Sequence, residues 1–108
     1  MSLHPIMDKA EVSIDFPDHL YRGSFLRDAA FDVRVDGEEV VLRLVYQGEE
    51  SRIASVHLHY FLLADVLRET AVEISEKRPI DDVHREPLLD AARELVKALR
   101  LKRPRKSG

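Results

Sequence analysis

The residues best suited to chemistry lie in "SVHLHYFLLADV", Ser55 to Val66, where two histidines stand two positions apart as an alternating pattern gives way to a helical one. On an extended strand such residues project to the same side about 6 to 7 Å apart. His57 and His59 could therefore offer two imidazole nitrogens to one metal ion, with a third ligand from Glu39, His19 or His84. Spacing fixes no third ligand, and a pair alone does not define a centre. The expectation is no metal and no cofactor, with His57, His59 and Glu39 the residues that would hold a metal if one bound. A proton-transfer version has Glu39 orient His59 as a general base, since a carboxylate fixes the tautomer of an imidazole and raises its basicity. Ser55 shares the face, but no strained nucleophile elbow and no glycine-rich oxyanion loop accompanies it, so no catalytic residue is assigned.

A second chemistry belongs to the C-terminus. "KALRLKRPRK" gathers Lys97, Arg100, Lys102, Arg103, Arg105 and Lys106, cations that could meet phosphates and gain affinity by counterion release. Residues 91–108 carry seven basic side chains against Glu94 alone, whereas the chain as a whole has a net charge of -3. Cations also suit the end of a helix, and an acidic body or a second copy could take them up. With no tryptophan, no aromatic stacking platform and no recognised nucleic-acid-binding signature, phosphate contact is the alternative and not the leading reading. The four glycines are isolated, which argues against a phosphate-cradling loop.

The elements that must position these residues are legible from periodicity. "EVSIDFP" alternates as a half-buried strand, and "DHLYRGSFLRDA" suggests a second, with Gly23 marking a bulge or bend. "AFDVRVDGEEVVLRLVYQ" holds two alternating runs around Asp36-Gly37, a pair suited to a two-residue type I′ turn. That turn would set Val35 against Glu38, Val33 against Val40 and Phe31 against Leu42. If Gln47 to Ser51 form the next loop, Leu44 faces Ala54, Leu42 faces Val56 and Val40 faces Leu58. His57 then lies opposite Val41 and His59 opposite Glu39, on the other face of the sheet. From Tyr60 the period turns helical and runs to Pro79. A last helix is expected from Pro87, with Leu88, Leu89, Ala92, Leu95, Val96 and Leu99 as its apolar stripe.

At 108 residues, 44% hydrophobic and 34% charged, the chain has the composition of one soluble folded domain. The expected organisation is a poorly ordered N-terminus over 1–10, an α+β domain over 11–101 and a basic flexible tail over 102–108. That domain is a two-layer one, an antiparallel meander of four to five strands followed by two helices packed on one face. The chain has no cysteine, and the apolar run Tyr60 to Ala64 is too short for a bilayer, which together suggest a cytoplasmic protein without membrane contact.

The outer face of that sheet is mixed. Val41, Val45 and Ile53 stand where water is expected, beside Arg43 and His57, and form a small patch that a second copy, a partner protein or the stretch Leu20 to Leu26 could cover. The leading expectation is a non-enzymatic interaction module, homodimeric or bound to another protein through Val41, Arg43, Val45, Ile53 and His57. Nucleic-acid contact through the basic end is the first alternative and a His-x-His metal enzyme the second.

Overall fold

In a computed structural model, which describes residues 3–101, the alternating runs fold as strands and the 3.6-residue period as helices. The strands are β1 (His4–Pro5), β2 (Ala10–Asp15), β3 (Leu20–Phe25), β4 (Ala30–Val35), β5 (Glu39–Tyr46) and β6 (Arg52–His59), followed by the helices α1 (Tyr60–Glu76) and α2 (Asp82–Leu101). This is the expected α+β class, with every strand ahead of every helix. The described residues divide into two compact units, one ending at Val66 and one beginning at Leu67. The N-terminal residues are part of the first unit: β1 pairs with β4, and Ile6 is buried with its N–H donating to the Ala29 carbonyl at 3.1 Å.

Four strands form one antiparallel sheet in the order β1-β4-β5-β6, and β2 pairs with β3 in a separate hairpin. The β5–β6 ladder has the expected register, with Val40 against Leu58, Leu42 against Val56, Leu44 against Ala54 and Val45 against Ile53. The β4–β5 ladder does not. Val35 pairs with Val40, Val33 with Leu42 and Phe31 with Leu44, so the connection runs over residues 36–39 and the register is displaced by two from that of a two-residue turn. No residue in the connection has a positive φ, so the type I′ geometry expected of Asp36-Gly37 is not adopted. Instead the Asp36 carboxylate Oδ1 accepts the N–H groups of Glu38 at 2.8 Å and Glu39 at 3.0 Å, and the Asp36 N–H donates to the Glu39 carbonyl at 3.0 Å. The side chain thus closes the turn, an Asx arrangement that needs no left-handed residue.

A shift of two leaves each side chain on its expected face. The face of Phe31, Leu42, Leu44 and Ala54 is covered by the β2–β3 hairpin, where the sequence led us to expect helices: Phe25, Ile6, Ala29 and Leu44 form the buried cluster, with Ala10, Val12 and Tyr46 packed against it. The stretch Leu20 to Leu26 therefore lies on the opposite side of the sheet from the mixed face. Gly23 pairs directly with Val12 in an unbroken ladder, so it marks no bulge. Arg52 ties hairpin and sheet together. Its guanidinium stacks over the Tyr46 ring at 4.6 Å and the Phe25 ring at 5.7 Å, and it donates to the Ser24 carbonyl at 3.2 Å.

Helix α2 begins five residues before the position expected from Pro87. Asp81 is its N-cap, with Oδ1 accepting the His84 N–H at 3.1 Å and the carbonyl accepting the Arg85 N–H at 2.8 Å. Pro87 then lies inside the helix, where it lacks the N–H that would reach Val83, a residue 79% exposed, whose carbonyl water can satisfy. Neither helix contains a buried residue.

Candidate functional site

The charged end of the first unit is organised around Glu39. Pairing of β5 with β6 sets Glu39 against His59 and Val41 against His57, so one carboxylate stands between two imidazoles on one sheet face. Glu39 Oε1 lies 3.1 Å from His57 Nδ1, and Oε2 lies 3.4 Å from His59 Nε2. The turn and the helix start close the same corner. Tyr60 N–H donates to the Glu38 carbonyl at 3.1 Å, and the Tyr60 hydroxyl donates to the Asp36 carbonyl. The first N–H of the uncapped α1 thus finds a backbone acceptor in the β4–β5 turn, a partner no local pattern could name.

This arrangement orients protons better than it holds a cation. Bonded to the Glu39 carboxylate, which only accepts, His57 Nδ1 carries the proton of that bond and so has no lone pair for a metal. His19 is engaged with Asp18 at 2.7 Å, and His84 with Asp81 Oδ1 at 2.8 Å. Among the described residues no group of three His, Cys, Asp or Glu side chains could hold a metal ion. For base chemistry His57 is oriented, with a side chain 54% exposed on an open face, but no hydrogen bond joins it to Ser55 among the described residues. Among the described residues no nucleophile is hydrogen-bonded to either histidine.

Further along the same face lies a feature that periodicity missed. Asp32 is buried at 2% exposure, and Arg43 grips it with both branches, Nε to Oδ1 at 3.1 Å and Nη2 to Oδ2 at 2.5 Å. Hydrogen bonding from Arg43 holds the Asp32 carboxyl below its ordinary value and raises that of Arg43. Under the expected register Asp32 would oppose Val41. The pair exists because the true register puts Asp32 against Arg43.

The patch expected to meet a partner is closed at its centre. Val41 and Val45 are 5% and 6% exposed, Arg43 is committed to Asp32 and His57 to Glu39, which leaves Ile53 as its open apolar member at 61%. Of the basic set, Lys97 and Arg100 are exposed on α2, while Lys102, Arg103, Arg105 and Lys106 lie outside the described residues. In the second unit the open apolar surface is on the helices. Leu88, Leu95, Val96 and Leu99 of α2 are 45–68% exposed, and Leu67, Val72 and Ile74 of α1 are exposed as well. Along α2, a shallow groove floored by Leu89, Ala92 and Val96 is rimmed by Arg93, Lys97 and Arg100. Among the described residues no helix is long and apolar enough to cross a membrane. Compared with known proteins, the chain matches no family model, no curated protein and no solved structure.

Proposed function

We propose that this protein is a non-enzymatic interaction module that works as a homodimer, its helices and not its sheet face supplying the contact. The observation that carries the reading is that two helices with apolar stripes bury none of their residues. A helix of 17 or 20 residues draws most of its stability in water from packing of its apolar face, so such stripes call for a cover. A second copy is the cover always present at the protein's own concentration, and two-fold dimers are the commonest soluble assembly. The sheet supports this choice by exclusion, since Val41 and Val45 are already buried.

Sedimentation equilibrium of the full chain tests the reading. The expected mass is twice 12.4 kDa at high concentration, falling toward one chain on dilution. Leu95→Glu with Leu99→Glu should shift the equilibrium to monomer while the far-ultraviolet signature of the strands persists. A single-chain mass for the parent protein at the highest attainable concentration would overturn the proposal.

A further inference from the structure

The face of the four-stranded sheet is closed at its centre, but one edge of it is not. Strand β6 pairs only with β5, and the Tyr60 N–H just beyond it donates to the Glu38 carbonyl at 3.1 Å. That bond fixes the phase of the antiparallel ladder. Leu58, Val56 and Ala54 turn their backbone polar groups toward β5, and Ile53, Ser55 and His57 turn theirs outward. The Asp36 N–H, which reaches the Glu39 carbonyl at 3.0 Å, gives β5 the same phase: its odd-numbered residues bond to β4 and its even-numbered ones to β6. Among the described residues the outward N–H and C=O groups of Ile53, Ser55 and His57 have no partner.

This edge also lacks the devices that keep a strand from pairing further. No lysine, proline or glycine stands among the 8 residues of β6, and its ladder with β5 is unbroken from Arg52 to His59. Its one arginine is turned onto the Tyr46 and Phe25 rings. At the other end of the sheet stands β1, 2 residues long and ending in Pro5, which has no N–H.

The edge matches itself. A two-fold axis normal to the sheet keeps each face continuous, so it sets odd residues against odd and even against even. With that axis on Val56, the face under the hairpin meets apolar to apolar, Val56 against the partner's Val56 and Ala54 against the partner's Leu58. On the other face Ser55 lies against the partner's His57. An axis on Ser55 would put Leu58 against the partner's Arg52, and one on His57 would put imidazole against imidazole. Resting on the homodimer reading, we infer that the edge of β6 is a second part of the contact between copies, pairing antiparallel with the partner's β6 about an axis through Val56. Main-chain hydrogen bonds hold this seam, and side chains set its register.

The absence of cysteine from the chain opens the seam to disulfide trapping. Val56 and the partner's Val56 form a non-hydrogen-bonded pair there, with Cα atoms about 4.5 Å apart, within the range a disulfide spans. Two Ala54 or two Leu58 residues stand about 14 Å apart along the strands. Full-length Val56→Cys should therefore oxidise readily to a linked dimer. Tagged Ala54→Cys should link to untagged Leu58→Cys, and neither of those two should link to itself. Self-linking of both as fast as that of Val56→Cys would show parallel strands or chance collision and overturn the inference. A sedimenting dimer in which Val56→Cys does not link would overturn it too but leave self-association standing, whereas a monomer removes the homodimer reading and this inference with it.

Proline gives an independent arm. The Ser55 N–H faces outward, so Ser55→Pro costs no bond to β5. Added to Val56→Cys, it should slow cross-linking roughly 10-fold or more while the far-ultraviolet signature of the strands persists, and Ser55→Ala should leave the rate unchanged. An unchanged rate with proline would overturn the pairing, and loss of the strand signature would place that N–H inside the ladder and overturn it as well.

Discussion

Asp32 and Arg43 form a two-pronged pair on the sheet, with the carboxylate buried. The carboxyl is held below its ordinary 3.8 by the hydrogen bonds from Arg43. A carboxyl lowered on folding stabilises the fold above that ordinary value, and the contribution disappears as pH falls through the lowered native value. The native protein should therefore lose this contribution as pH falls below about 4. Asp32→Asn should lower stability at pH 7 and flatten the fall between pH 7 and pH 3, read from urea unfolding followed by circular dichroism. An unchanged difference between the two pH values would show that the pair is not the group responsible. A tighter residue-level constraint sits at Gly48, where an added Cβ would fall 2.1 Å from the Tyr46 hydroxyl oxygen. Gly48→Ala should cost about 1 to 3 kcal/mol by pushing Tyr46 off Arg52. The same change in a Tyr46→Leu background should cost much less, and equal costs in the two backgrounds would exclude this contact as the cause.

At the scale of elements, Asp81 anchors the start of α2, and its carboxyl is likewise held low, first by the His84 N–H. Asp81→Ala should reduce helix content at neutral pH, measured by circular dichroism at 222 nm, while leaving helix content nearly unchanged between pH 7 and pH 3 where the parent loses some. A variant with the parent's pH profile would remove Asp81 from the capping role. Most of the strand pattern was legible because alternation fixes faces, and β5–β6 even has the register its apolar residues and five-residue loop implied. The β4–β5 register was not legible. A slip of two residues preserves every face, so hydrophobic pattern cannot detect it, and the Asp-Gly pair pointed to a tighter turn than the Asx closure at Asp36 provides. Asp32 against Arg43, the most consequential contact of the mixed face, was lost with that slip. Pro87 misplaced the start of α2 for a related reason: proline favours the first helical turn statistically, whereas the cap at Asp81 fixes the start physically.

Across the whole molecule, the apolar stripes of α1 and α2 were visible in the sequence, but what covers them was not, since periodicity gives a face and never its neighbour. The segment that covers the Leu42 and Leu44 face is the β2–β3 hairpin, whose apolar residues are split across two short strands and meet only when paired. If α2 joins two copies, folding and association are one equilibrium for those helices. The thermal midpoint of the helical signal should then rise with protein concentration over a 100-fold range, while an assembly-independent fold would melt at a constant temperature.

One joint in the chain has a consequence for how the protein tolerates change. Strand β6 ends at His59 and α1 begins at Tyr60 with nothing between them, and the Tyr60 amide and hydroxyl are both fastened to the β4–β5 turn. Such a splice has no slack. One inserted or deleted residue between His59 and Tyr60 would turn the Tyr60 side chain by about 100° about the helix axis and so pull it off the turn. Length variation should therefore be suppressed at this splice far more than at the loop over residues 47–51, and a library of single-residue insertions sorted for folded protein would show the contrast.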